Sequence, residues 1–124
     1  MTIALFITAA LAAILHIFIF YLESFAWLGK GRAVFGMSEQ QAHATKEMAF
    51  NQGFYNLMLA IVTIIGLVLW TIARPAAIAL IGAGTGSMFA AALLLFATAP
   101  DKRSAAIKQG TLPLLALILL SFAA

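Results

Sequence analysis

The stretch that decides the fold is MAFNQGFYNLMLAIVTIIGLVLWTIA, running from Met48 to Ala73. It carries no charged side chain. A bilayer core roughly 30 Å thick needs about 20 apolar residues at 1.5 Å rise each. The stretch is therefore long enough to cross as a helix. Its two ends differ. Asn51, Gln52, Tyr55 and Asn56 crowd the beginning, whereas Ile61 to Trp70 is almost featureless Leu, Ile and Val. A crossing helix with hydrogen-bonding side chains at one end sets both the class of protein and the end at which to look for a site.

Working outward, Ile3 to Tyr21 has no charge and one imidazole, His16, and reads as the first span. It is too long for a signal h-region and lacks a charged n-region, so it is expected to be retained. Arg74-Pro75 closes the quoted stretch. Pro75 suits the first turn of a third helix, which runs through Ala76 to about Thr98. Ala99-Pro100-Asp101 breaks it. The fourth span runs from about Ile107 to Phe122. Pro113, four residues after Gln109, is expected to kink it or open its first turn. The spacing thus predicts one membrane domain over 1–124, with spans at about 3–22, 47–72, 76–98 and 106–122.

The one long connection, Glu23 to Glu47, opens with Trp27, Gly29 and Gly31, an interfacial aromatic and a turn. Ser38 with Gln41 three later is a capping box, so the second helix is expected to begin near Ser38, outside the apolar core. The other connections are short. Short connections put consecutive helices antiparallel and adjacent, giving an all-α, up-down four-helix bundle.

Composition agrees. Of 124 residues, 65% are hydrophobic and 9% charged, against roughly a quarter charged in an ordinary soluble domain. The mean hydropathy is +1.09. Eleven charged side chains cannot coat a soluble domain of this size. A soluble globular protein, a disordered tail and a nucleic-acid binder are excluded, and the lipid bilayer is the expected surrounding. The absence of cysteine excludes disulfides, thiolate metal sites and a Cys nucleophile. The net charge of +3 reports orientation instead. Lys30, Arg32 and Lys46 lie in the first connection and Lys102, Arg103 and Lys108 in the third. Only Arg74 lies on the opposite side. The imbalance predicts both larger loops in the cytoplasm and both termini outside it.

Polar groups in hydrocarbon need partners and usually face the bundle interior. His16 and Glu23, seven apart, share a face of the first helix. Glu47, Asn51 and Tyr55 step by four along the second, and Gln52 and Asn56 form the neighbouring stripe. Gln109 sits near the start of the fourth. The predicted topology puts all of them toward the cytoplasm, where they outline a pocket reaching inward to His16 and Asn56. The competing reading is structural: solvated carboxylates at helix ends, a core histidine bonded to one carbonyl, and amides acting as interhelical glue. In the third helix, Gly82 and Gly86 form a small-xxx-small pair that lets helices approach, within one bundle or between copies in a dimer or trimer.

An imidazole with two carboxylates offers acid/base chemistry. No HExxH or HxH spacing signals a metal, and no cofactor is read from the residues. Three function classes follow. The first is a protein binding or processing a lipophilic small molecule, the second a structural or partner-binding membrane module. The third, a small transporter, is disfavoured by the apolar outer half.

The segments His16-Ile-Phe-Ile-Phe-Tyr-Leu-Glu23 with Trp27, Phe35-Gly36, Asn51-Gln-Gly-Phe-Tyr-Asn56 with Leu59-Ala60, and Gln109-Gly110 leading to Pro113 stand in a specific order and spacing. In these the chain resembles the small bacterial membrane proteins grouped as domain of unknown function 1304, over essentially its whole length. The resemblance implies a compact four-span protein of the bacterial inner membrane and no activity. A more distant likeness is to the glutathione-using membrane enzymes of the MAPEG superfamily, which have four spans and assemble as trimers. Their Arg-rich start and Asn-xx-Glu-Asn element are not reproduced here, so that likeness is one of fold only.

Overall fold

The computed structural model describes all 124 residues. Four long apolar helices, each able to cross a membrane, make up nearly the whole chain. In hydrocarbon every backbone N–H and C=O must find its partner inside the segment, and a helix does this. Helix α1 spans Thr2–Ser24. A π-helical turn at Trp27–Gly31 and a short α2 at Arg32–Phe35 follow. Helix α3 spans Glu39–Val68 and ends in a 3-10 turn, Leu69–Thr71. Helix α4 spans Arg74–Thr98, and α5, after a 3-10 turn at Pro100–Lys102, spans Arg103–Ala123.

Helix α1 packs on α3 and α5, and α4 packs on the same two, so α1 and α4 lie diagonally across the bundle. The chain therefore runs up and down around the ring in the order α1, α3, α4, α5. The Ser38 capping box forms in full. Ser38 Oγ accepts from Gln41 N–H at 3.1 Å, and Gln41 Oε1 accepts from Ser38 N–H at 3.0 Å. Because α3 begins there, it overshoots α1. Ser24 Oγ donates to the Phe50 carbonyl at 2.9 Å, which sets the two helices level at that point. The eleven-residue rise from Glu39 to Phe50 then extends about 16 Å beyond α1.

Two expectations are corrected. The Gly29–Gly31 region is not a simple turn but a continuation of helical winding. Gly31 N–H reaches back five residues to the Ala26 carbonyl at 2.7 Å. A Cβ on Gly31 would stand 2.8 Å from the Leu22 oxygen, so the winding needs glycine there. The chain instead turns at Gly36, whose φ of 64° is left-handed. Pro113 does not open α5, which runs unbroken through it. Its missing N–H leaves the Gln109 carbonyl without its helical donor.

The buried residues are mostly small. Ala9, Ala12, Ala13, Ala60, Ala77 and Ala116 are fully buried, while Ile3, Ile7, Ile14, Val68 and Leu94 stand outward at the bundle surface. Lipid tails are as apolar as Leu, so nothing drives bulky side chains inward, and close packing favours small ones. The one compact apolar cluster joins Leu5 and Ala9 to Trp70, Ala77, Ile81, Ala116 and Leu120. It fills the end of the bundle where the chain passes directly from α3 to α4. The opposite end, under the two larger connections, is built differently.

The close approach of α4 to α3 lies at Gly84 and not at the Gly82/Gly86 pair. A Cβ on Gly84 would collide with Thr63 Oγ1 and stand 3.2 Å from the Leu59 oxygen. Gly82 and Gly86 turn instead toward α5, with Leu120 and Leu117 at ordinary contact distances of 3.6 and 3.9 Å. The reason is rotation: two residues turn the helix by about 200°, so positions 82 and 86 cannot share the face of 84.

Candidate functional site

Beneath the larger connections the four helices line a partly open cavity of about 200 Å³. Helix α1 supplies His16 and Glu23, only 2% and 6% exposed. Seven residues apart, they stand on one face about 10 Å from each other along the axis. Helix α3 supplies Gln52 and Asn56, one turn apart, and α5 supplies Gln109. Ala91 and Leu95 of α4 close the apolar side.

Trp27 and Phe35 lie over the cavity as a roof. Their rings meet at 5.4 Å. Trp27 Nε1 donates to Thr45 Oγ1 at 3.0 Å, which fastens the roof to the projecting part of α3. On the other side Lys102 Nζ reaches the Phe35 carbonyl at 3.5 Å and Asp101 Oδ2 at 3.4 Å. The long first connection is thus held down from two directions.

Inside, Asn56 Nδ2 donates to Glu23 Oε1 at 2.5 Å, tying α3 to α1. His16 Nδ1 donates to the Ala12 carbonyl at 2.9 Å, one turn back on its own helix. A carbonyl only accepts, so this bond fixes the proton on Nδ1 and leaves Nε2 for other partners. His16 Nε2, Glu23 Oε2 and the Gln109 carboxamide make no hydrogen bond to protein, yet no fully enclosed side-chain N or O lacks a partner. These atoms therefore border open space and are not sealed against packed protein. The arrangement offers a carboxyl oxygen, an imidazole nitrogen and carboxamides to whatever enters. No trio of His, Asp or Glu side chains converges to form a metal-ligand set.

A family model described as protein of unknown function (DUF1304) matches residues 10–121. The chain belongs to the DUF1304 family. No curated protein and no solved structure matches it. The DUF1304 match covers every cavity residue, from His16 to Gln109.

Of the residues named from the DUF1304 sequence, the structure brings His16, Glu23, Gln52, Asn56 and Gln109 together. Glu47, Asn51 and Tyr55 lie on the outer surface of α3, with Tyr55 67% exposed. The two stripes of α3 are about 100° apart, and it is the Gln52/Asn56 stripe that borders the cavity, with Asn56 half-buried and Gln52 exposed at its edge. Sequence reasoning missed Phe35, Ala91, Leu95 and Lys102 as cavity residues, and read Trp27 only as an interfacial aromatic. The signal for Phe35 was its neighbour Gly36, whose left-handed backbone ends α2 and turns the chain. Lys102 carried no local signal, because its role depends on a contact 67 residues away.

Proposed function

We propose that this multi-pass membrane protein binds a small lipophilic molecule through a hydrogen-bonding head group. The head lies among Glu23, His16 and Asn56, with the apolar part against Ala91 and Leu95. The observation that carries the reading is the convergence of two buried titratable side chains on one roofed cavity with free hydrogen-bonding atoms. Ligand pockets for drug-sized molecules run to roughly 300–1,000 Å³. A cavity of about 200 Å³ fits something smaller, near the size of one substituted ring. His16 Nε2 and Glu23 Oε2 are also suited to exchange a proton with such a guest.

The reading includes an orientation in the bacterial inner membrane. Six of the seven Lys and Arg residues stand at the cavity end, which favours placing that end in the cytoplasm and both termini outside.

The test is to purify the protein in lipid nanodiscs and extract what comes with it for mass spectrometry. The wild type should carry a small molecule in near-stoichiometric amount, and Asn56→Leu and His16→Leu should lose it while keeping their helical content. Recovery of bulk lipid alone, equally from all three proteins, sinks the proposal.

A further inference from the structure

A second concavity, about 260 Å³, lies on the outside of the bundle between α1 and α5. Its floor is Leu15, Phe18, Ile19 and Leu22, which recur at helical spacing along one face of α1. From Leu22 to Leu15 this apolar floor runs about 10 Å inward. Val34 of α2 overhangs it. Phe18 is 42% exposed, so the groove opens sideways to the surrounding lipid.

The groove changes character at its upper rim. Lys102, Ser104 and Lys108 stand there, with Asp101 as the one acid. Asp101 is engaged by Lys102. Lys108 makes neither an ion pair nor a hydrogen bond to protein, and Ser104 Oγ is likewise without a protein partner. The neighbouring arginine is already satisfied: Arg103 lies 4.7 Å over the Phe96 ring and donates to the Phe96 carbonyl at 3.0 Å. The rim therefore presents one unpaired cation, a second shared with Asp101, and a free hydroxyl, directly above an apolar slot.

We propose that this groove is a binding site for an anionic phospholipid. One acyl chain lies along Leu15, Phe18 and Ile19, and the phosphate meets Lys108 and Ser104, with Lys102 behind them. Charge complementarity selects the headgroup, since a cation near a membrane surface favours anionic over neutral lipid by about fivefold per Lys. The apolar floor holds the tail and distinguishes this site from a surface attraction for any anion. The groove borders the interior cavity at Phe35, Lys102 and Gln109, but its floor on α1 and its Ser104 and Lys108 belong to it alone, so variants at Leu15 and Lys108 test it apart from that cavity.

Native mass spectrometry of the detergent-released protein, mixed with phosphatidylglycerol and phosphatidylcholine of identical chains, tests the assignment. The wild type should retain phosphatidylglycerol in preference. Lys108→Gln should reduce the preference about fivefold, and Leu15→Trp, which fills the slot, should reduce retention of the lipid itself. Lys46→Gln, on the projecting part of α3, should change neither. Equal retention of the two lipids by the wild type overturns the proposal, as does an undiminished preference in Lys108→Gln. An equal loss in Lys46→Gln would assign the effect to overall charge and overturn it too. Lys108 is exposed and makes no protein contact through its ammonium, so folding is not at stake in that variant.

Discussion

Asn56 and Glu23 are 33 residues apart in sequence and joined by a side-chain hydrogen bond. Removing the donor leaves the buried Glu23 carboxyl without its one hydrogen-bond partner in the protein. Hydrogen bonds between membrane helices are worth about 0.6 kcal/mol on average and about 1.7 at most. Asn56→Leu should thus lower stability by about 1 kcal/mol, read as a lower midpoint in detergent-induced unfolding. Glu23→Gln keeps an accepting oxygen for Asn56 and should cost less than half of that in the same titration. A larger loss for Glu23→Gln than for Asn56→Leu would show that the carboxylate serves something other than this bond. The site was partly legible at this scale. His16 and Glu23 could be put on one face by counting seven, and Gln52 and Asn56 by counting four. Which of the two α3 stripes points inward could not be read, because both are polar and periodicity does not say where the neighbour stands.

At the scale of elements, α3 and α4 meet through Gly84 and Thr63, whose hydroxyl donates to the Leu59 carbonyl at 2.9 Å. A methyl group at position 84 must displace that hydroxyl. Gly84→Ala should therefore destabilise the bundle by about 1–3 kcal/mol, the usual cost of overpacking. Gly86→Ala, with only Leu117 at 3.9 Å, should stay within about 0.5 kcal/mol. Thermal unfolding in a single detergent compares the pair. If both variants match the wild type, the close approach at Gly84 is not what holds α3 to α4. The capping box makes a separate prediction. Ser38→Ala should cost about 1 kcal/mol locally, seen as faster amide exchange in the first turns of α3 with the spans unchanged. The helices themselves were legible, since four uncharged runs separated by Pro and charged residues leave little choice. The winding of Trp27–Gly31 was not, because two nearby glycines read equally as a turn or as room for a close backbone pass. The small-residue contact was two positions from the Gly pair that drew the eye, since glycines at 82, 84 and 86 look alike in one dimension.

For the whole molecule, the two larger connections share one end and six of the seven Lys and Arg residues with it. The protein has no cysteine, so single cysteines can be placed without background. In intact cells, Ala124→Cys should react with a membrane-impermeant maleimide, and Gln40→Cys should react only after the membrane is opened. The reverse pattern would invert the orientation. The end with the roofed cavity and the end with the apolar cluster also divide the labour of the fold, one holding space and the other filling it. The alanines and glycines packed at its centre, with isoleucines and leucines turned outward, have a genetic consequence. In a water-soluble domain, drift is freest at the small surface residues and most restricted at the large core ones. Here the ranking reverses. A saturation library should find the outward Ile, Leu and Val positions freely interchangeable, and the interior alanines intolerant of even one added methylene.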